Sequence, residues 1–211
     1  MSWTKVNLII ITLFIIHLVG GVALSIDSVK SMFLFLTPIN LTFTFGLLIW
    51  GNDDFSINFF KIISVLFLIG FFIEVIGVYS GLLFGQYHYG KTLGFQLLKV
   101  PLIIGVNWVI LVVSSFAVSS YFVSDTILKV VLPSLIMVLL DLMIEPVAIR
   151  LDFWHWKSEV IPLQNYIMWF LVALIMNWIL TFNQFKFNVK LGFGLIISQI
   201  LFFTLQSFNI Y

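Results

Sequence analysis

The sequence predicts an all-α membrane protein, a polytopic bundle of about seven transmembrane helices with no soluble domain. Three observations carry this. Apolar residues make up 62% of the 211 residues and charged residues only 9%, whereas soluble domains carry about 25% charged residues. The mean hydropathy is +1.17. Apolar runs cover residues 6–26, 32–50, 59–80, 97–120, 127–146, 163–182 and 191–208. Crossing a bilayer takes roughly 20 residues, so each run is long enough. Backbone in lipid cannot stay unpaired, and the runs are continuous rather than alternating, so helices are expected and not barrel strands. Seven spans use about 140 residues and leave about 70 for loops and ends. A single transmembrane domain over 1–211 is therefore expected.

Each run has its own features. The first follows Lys5, has no small-residue cleavage site after it, and reads as a retained helix rather than a signal peptide. Its His17 stands alone among aliphatic residues and reads as a packed, hydrogen-bonded side chain. Pro38 interrupts the second run and Pro133 the fifth, which Pro146 is expected to end or kink. Asn107-Trp108 and Asn177-Trp178 sit in comparable places in the fourth and sixth runs. An interhelical hydrogen bond plus a large packing residue explains both without invoking a repeat. The seventh run has no internal lysine for a retinal Schiff base, since Lys190 lies at its edge.

The longest connections, residues 81–96 and 147–162, are rich in Tyr, Trp and His. Both follow odd-numbered spans, so they emerge on one membrane face. Lys5, Lys61, Lys129, Lys186 and Lys190 fall on the N-terminal side; Lys30, Lys91, Lys99, Arg150 and Lys157 fall opposite. With this tie the positive-inside rule does not orient the chain. A net charge of +1 provides no basic field for nucleic acid. Zero cysteines exclude disulfides, thiolate metal sites and cysteine nucleophiles. No GxSxG, P-loop or HExxH is present.

Ionisable residues at bilayer depth are functional candidates, because a buried carboxylate is costly unless paired, protonated or wet. Glu74 lies mid-run, with Gly77 and Gly81 on its helical face. The missing side chains leave a slot for a slender ligand or let another helix approach. Asp141 and Glu145 are four residues apart and project from one helix face. Two carboxyls this close in low dielectric resist losing both protons and titrate as a pair, as acid–base catalysis requires. A structural pairing with Arg150 is the plainer alternative. His88 and His155, with the three carboxyls, contain the donor types of an imidazole–carboxylate metal site, but no HxxxH or ExxH spacing supports one, and no metal is expected. The aromatic loops also suit an interfacial belt.

The stretch from Glu74 through Gly77, Ser80-Gly81, Phe84-Gly85, Tyr87 and Tyr89 continues to Leu93-Gly94, Val100-Pro101-Leu102 and Trp108. A second block holds Asp141, Glu145-Pro146, Trp154 and Trp156. Together these resemble the carotenoid-biosynthesis membrane proteins of the γ-carotene hydratase and bisanhydrobacterioruberin hydratase type. The blocks cover residues 74–108 and 141–156. The chain departs from the family pattern at Tyr79-Ser80-Gly81 (His-Thr-Gly), at Leu83 (Pro) and at Glu145-Pro146 (Asp-Pro).

The resemblance implies addition of water across the terminal carbon–carbon double bond of an acyclic carotenoid, giving a tertiary alcohol without redox change or organic cofactor. The residues suit that reaction. A dry carboxylic acid can protonate an alkene, aromatic faces stabilise the cation, and a second carboxyl deprotonates water. The expected catalytic residues are Glu74, Asp141 and Glu145, with Asp141 as acid and Glu145 or Glu74 as base. Gly77, Gly81, Phe84, Tyr87, Tyr89, Trp108, Trp154 and Trp156 are expected to bind the substrate, which enters from the lipid past Gly77 and Gly81. The partners are then a lipid-soluble carotenoid, water and membrane lipids. The Phe-, Ile- and Asn-rich composition fits an AT-rich bacterium, so a bacterial inner membrane is the expected location.

Other classes stay open. A cyclase uses the same acid and aromatics but excludes water. A prenyl elongase needs an Asp-rich diphosphate–Mg²⁺ motif, and Asp53-Asp54 is the sole acidic doublet, in a loop on the other face. A channel or transporter needs a polar path across both faces, whereas these polar groups gather near one.

Overall fold

The computed structural model describes residues 4–158 and 160–208. Seven helices, all long and apolar enough to cross a membrane, form the bundle: α1 (Lys5–Ala23), α2 (Asp27–Gly51), α3 (Ile57–Ser80), α4 (Ile103–Phe122), α5 (Leu128–Arg150), α6 (Leu163–Phe182) and α7 (Val189–Ser207). The fold class expected from composition is the one observed. Four short strands join them: β1 (Tyr87–Tyr89), β2 (Gln96–Leu97), β3 (Val100–Pro101) and β4 (Trp154–Trp156).

α4 is the axial helix. It packs against α2, α3, α5, α6 and α7, and every residue from Trp108 to Ser119 is buried. Small residues permit the close approach. A Cβ at Gly70 would lie 2.5 Å from Trp108 Cβ, and one at Gly105 would lie 2.7 Å from the Phe67 ring. α1 packs mainly on α7, and α2 is the least buried of the seven.

Helix ends follow local chemistry. Ser56 caps α3 by accepting the Phe59 N–H at 3.1 Å. Gly81, with φ of 63°, ends α3 in a left-handed cap whose N–H bonds Gly77 O at 2.8 Å.

Two expectations are corrected. The run at 97–120 does not begin as helix: Leu97 belongs to a β2–β3 hairpin turned by Leu98 and Lys99, both with positive φ, and α4 starts at Ile103. Pro101 explains this, since it lacks an N–H and disfavours helical backbone at Val100. Conversely, α5 does not end at Pro146 but continues to Arg150. The ring removes one ladder bond, to Leu142, and the turns on either side persist.

The Asn-Trp dipeptides have unlike surroundings. Asn177 donates to Ser134 Oγ of α5 at 3.1 Å, and its neighbour Trp178 is exposed. Trp108 is fully buried.

Candidate active site

α3 and α5 run in the same sense, so their C-terminal ends, and the loops that follow, share one face. There the aromatic triplets Tyr-His-Tyr and Trp-His-Trp pair as an antiparallel ribbon, β1 with β4, in the register Tyr87–Trp156, His88–His155, Tyr89–Trp154. Side chains alternate along a strand. The tyrosines and tryptophans therefore turn inward over the helix ends, while His88 and His155 stack on the outer side, 5.4 Å apart. Strand periodicity thus separates the histidines from Glu74 and Glu145, and the imidazole–carboxylate cluster left open by the sequence does not assemble. His155 instead bonds Asp152 Oδ1 at 2.7 Å, and the Lys91 N–H donates to Asp152 Oδ2 at 3.0 Å. Asp152 so clasps the two loops together. That His155 bond, with Lys91 adding to it, holds its carboxyl below the usual carboxylate range despite some burial.

The carboxyls lie beneath the ribbon. Glu74, six residues before the end of α3, sits about 9 Å from it at 1.5 Å rise per residue. Its Oε1 accepts the Trp108 indole N–H at 3.0 Å, and its Oε2 accepts the hydroxyls of Tyr89 at 2.8 Å and of Tyr87. Burial first, then the neighbouring Glu74 carboxyl, push both phenols well above the ordinary tyrosine range, so they remain neutral donors.

Glu145 Oε2 accepts the indole N–H groups of Trp154 at 3.0 Å and Trp156 at 2.9 Å. Asn165, in the first turn of α6, donates through Nδ2 to Glu145 Oε1 and to Asp141 Oδ2, each at 2.9 Å. Asp141 is wholly buried, and its Oδ1 has no hydrogen-bond partner among the described residues. Arg150 donates instead to α7, to Gln206 O at 3.0 Å and to its side-chain oxygen, so the alternative pairing with the acidic residues is not made.

Glu74 and Glu145 both line a narrow cavity of about 20 Å³, room for about one water. Phe84, Tyr87, Tyr89, Trp108, Trp154 and Trp156 line it, as do four residues that the sequence does not single out for a site: Ile104, Asn107, Asn165 and Trp169. Trp169 stacks on Trp108 with ring centroids 4.2 Å apart. Asp141 does not line this cavity; it stands behind Asn165. Gly77 is beside Glu74, but the expected slot there is filled: a Cβ would lie 2.5 Å from the Phe84 ring and 3.1 Å from the Tyr87 hydroxyl. Gly81 is occupied as the α3 cap, with Gln86 against it. Gly77 thus seats the aromatic loop on α3, while Gly81 is half-buried beside an open surface depression lined by Tyr79, Gln86 and Lys157. Asn165 does carry a polar signal in the sequence, since an amide at helix depth in an apolar run needs a partner. Trp169 carries no such signal.

Fold and site define a multi-pass membrane protein with an acidic, aromatic-walled internal cavity. The chain belongs to the carotenoid biosynthesis protein family, whose model matches residues 39–205 and so takes in every residue of the cavity. Comparison with curated proteins and with solved structures gave no match.

Proposed function

We propose that this carotenoid-biosynthesis protein is a hydratase that adds water across the terminal double bond of an acyclic carotenoid end group. The observation that supports it is the cavity itself, where carboxyls from two helices meet among indole and phenol rings beneath a closed ribbon.

Glu145, the member of the Asp141–Glu145 pair on the cavity wall, delivers the proton. Asp141 is a positioning residue that acts through the Asn165 amide it shares with Glu145, a change from the role expected from sequence, because, of this pair, only Glu145 reaches the cavity. The alkene π pair forms the new C–H bond at the inner CH carbon, leaving a tertiary cation on the dimethyl-bearing terminal carbon. The aromatic walls stabilise that cation without bonding to it. Water attacks it through oxygen, Glu74 takes the surplus proton, and that proton returns to Glu145 across the cavity they share before the next turnover. The balance is alkene plus water to alcohol, with no electron transfer. The fixed N–H and O–H donors around both glutamates preorganise the charge shift before substrate arrives.

The test is expression in a non-pigmented bacterium engineered to make lycopene or γ-carotene, followed by chromatography and mass spectrometry of the pigments. A product heavier by one water, absent with Glu145→Gln or Glu74→Gln, is expected. An isomer of unchanged mass would identify a cyclase, and untouched pigment beside verified membrane protein would overturn the assignment for those substrates.

A further inference from the structure

The carboxyl cavity is not isolated. A second cavity, of about 80 Å³, shares Ile104, Asn107 and Trp154 with it as a common wall. A third space, about 350 Å³, shares Thr37, Asn40 and Phe202 with the second. This outer one is a groove between α1 and α2 whose walls include Ile15, Val19, Ile39 and Phe43, all exposed on the lipid-facing surface. The three spaces thus adjoin one another in order from the lipid-facing surface to the carboxyls, each pair divided by the side chains it shares.

The groove lies where the bundle is loosest. α2 is the least buried helix and carries Pro38 one residue from Thr37. Pro38 removes the ladder bond to Leu34. Gly20 of α1 lies beside the Phe202 ring in the groove, where a Cβ would stand at ordinary van der Waals distance, 3.8 Å from that ring.

We propose that this series of cavities is the binding passage for a long, linear isoprenoid hydrocarbon, entering laterally between α1 and α2 and presenting its end group to Glu74 and Glu145. The occupant's chemistry follows from the walls. The outer groove is lined mostly by aliphatic and Phe side chains, with Thr37 and Asn40 where it meets the second cavity, and lies on the lipid-facing surface. The middle cavity is mostly apolar, with Leu41, Leu93, Ile144 and Phe203. Its polar side chains, His17, Thr37, Asn40, Asn107 and Gln199, serve the reaction's other substrate. His17 Nδ1 already donates to Leu13 O at 2.8 Å, and Gln199 Oε1 is buried without a partner among the described residues. A water there satisfies that oxygen and stands one cavity away from the carboxyls. The passage rests on the hydratase reading only for naming the reacting end; its geometry does not.

The purified protein is irradiated with a linear polyisoprenoid hydrocarbon carrying a mid-chain diazirine, and adducts are mapped by tandem mass spectrometry. Adducts concentrated on α1, α2 and Phe202, competed away by unlabelled lycopene and lost with Thr37→Trp, are expected. Adducts spread over all lipid-facing helices, or insensitive to competition, overturn the passage. Should Thr37→Trp fail to fold, competition on the natural chain decides alone. If competed adducts persist while the natural chain hydrates no polyene, the passage stands and the hydratase reading falls. If hydration proceeds with no competed adduct at α1 and α2, the passage falls alone.

Discussion

Asp141 and Glu145 are held by the same amide group: the two hydrogens of Asn165 Nδ2 reach Oδ2 of the first and Oε1 of the second, each at 2.9 Å. One side chain of α6 therefore fixes the spacing of two acidic groups of α5. Asn165→Leu removes both bonds and leaves two buried oxygens unpaired, at about 1–3 kcal/mol each. Carotenoid conversion is expected to fall by about a hundredfold or more, and the thermal midpoint in detergent to drop. Normal conversion by the variant would show that the bridge has no part in the chemistry.

Trp108 joins packing to chemistry, since its indole donates to Glu74 while its Cβ abuts Gly70. Trp108→Phe keeps most of the ring and loses the donor, so activity should fall further than stability. Gly70→Ala keeps the donor but forces α3 away from α4, at about 1–3 kcal/mol for overpacking. Measuring conversion and melting for both variants separates the two functions of this contact.

The clasp at Asp152 gives an acid limb to the stability profile. Its carboxyl ionises more readily in the folded protein, so it adds stability above the unfolded value of about 3.9 and loses it as pH falls through the folded value. The contribution is small, because Asp152 and His155 are both partly exposed. Asp152→Asn is expected to flatten the fall in melting temperature below about pH 4.

Tyr87 and Tyr89 give the opposite limb. Their phenols ionise less readily in the folded state, so the stability they add is complete below about pH 10 and is lost as pH rises beyond it. The double variant Tyr87→Phe, Tyr89→Phe should melt less steeply with rising alkali, and at neutral pH it should lose conversion because Glu74 keeps only Trp108 as donor. An unchanged alkaline profile would refute the assignment.

Lipid makes the seven helices legible in the sequence, since each must be a long apolar run. The carboxyls stand out for the same reason, as costly exceptions within those runs. What sequence does not reveal lies at the helix ends. Three-residue strands have no hydrophobic period to detect, so Tyr87–Tyr89 and Trp154–Trp156 resemble an interfacial belt, although their alternation of aromatic and histidine is a strand pattern. The apolar Leu97, Leu98 and Val100 disguise a hairpin, with Pro101 as its sole marker. Gly77 does mark a gap beside Glu74, but what fills it, Phe84 and Tyr87, arrives through a loop whose path sequence does not give.

The pairing of β1 with β4 also imposes an order on biogenesis. Residues 87–89 leave the ribosome long before residues 154–156, so the ribbon stays open while α4 and α5 enter the membrane. Glu74 meets its two phenols early, yet its indole donor waits for α4. Glu145 has none of its three donors until Trp154, Trp156 and Asn165 have been made. A chain truncated after α5 would place two acidic side chains in the bilayer with no group to receive them, and quality control should recognise that species.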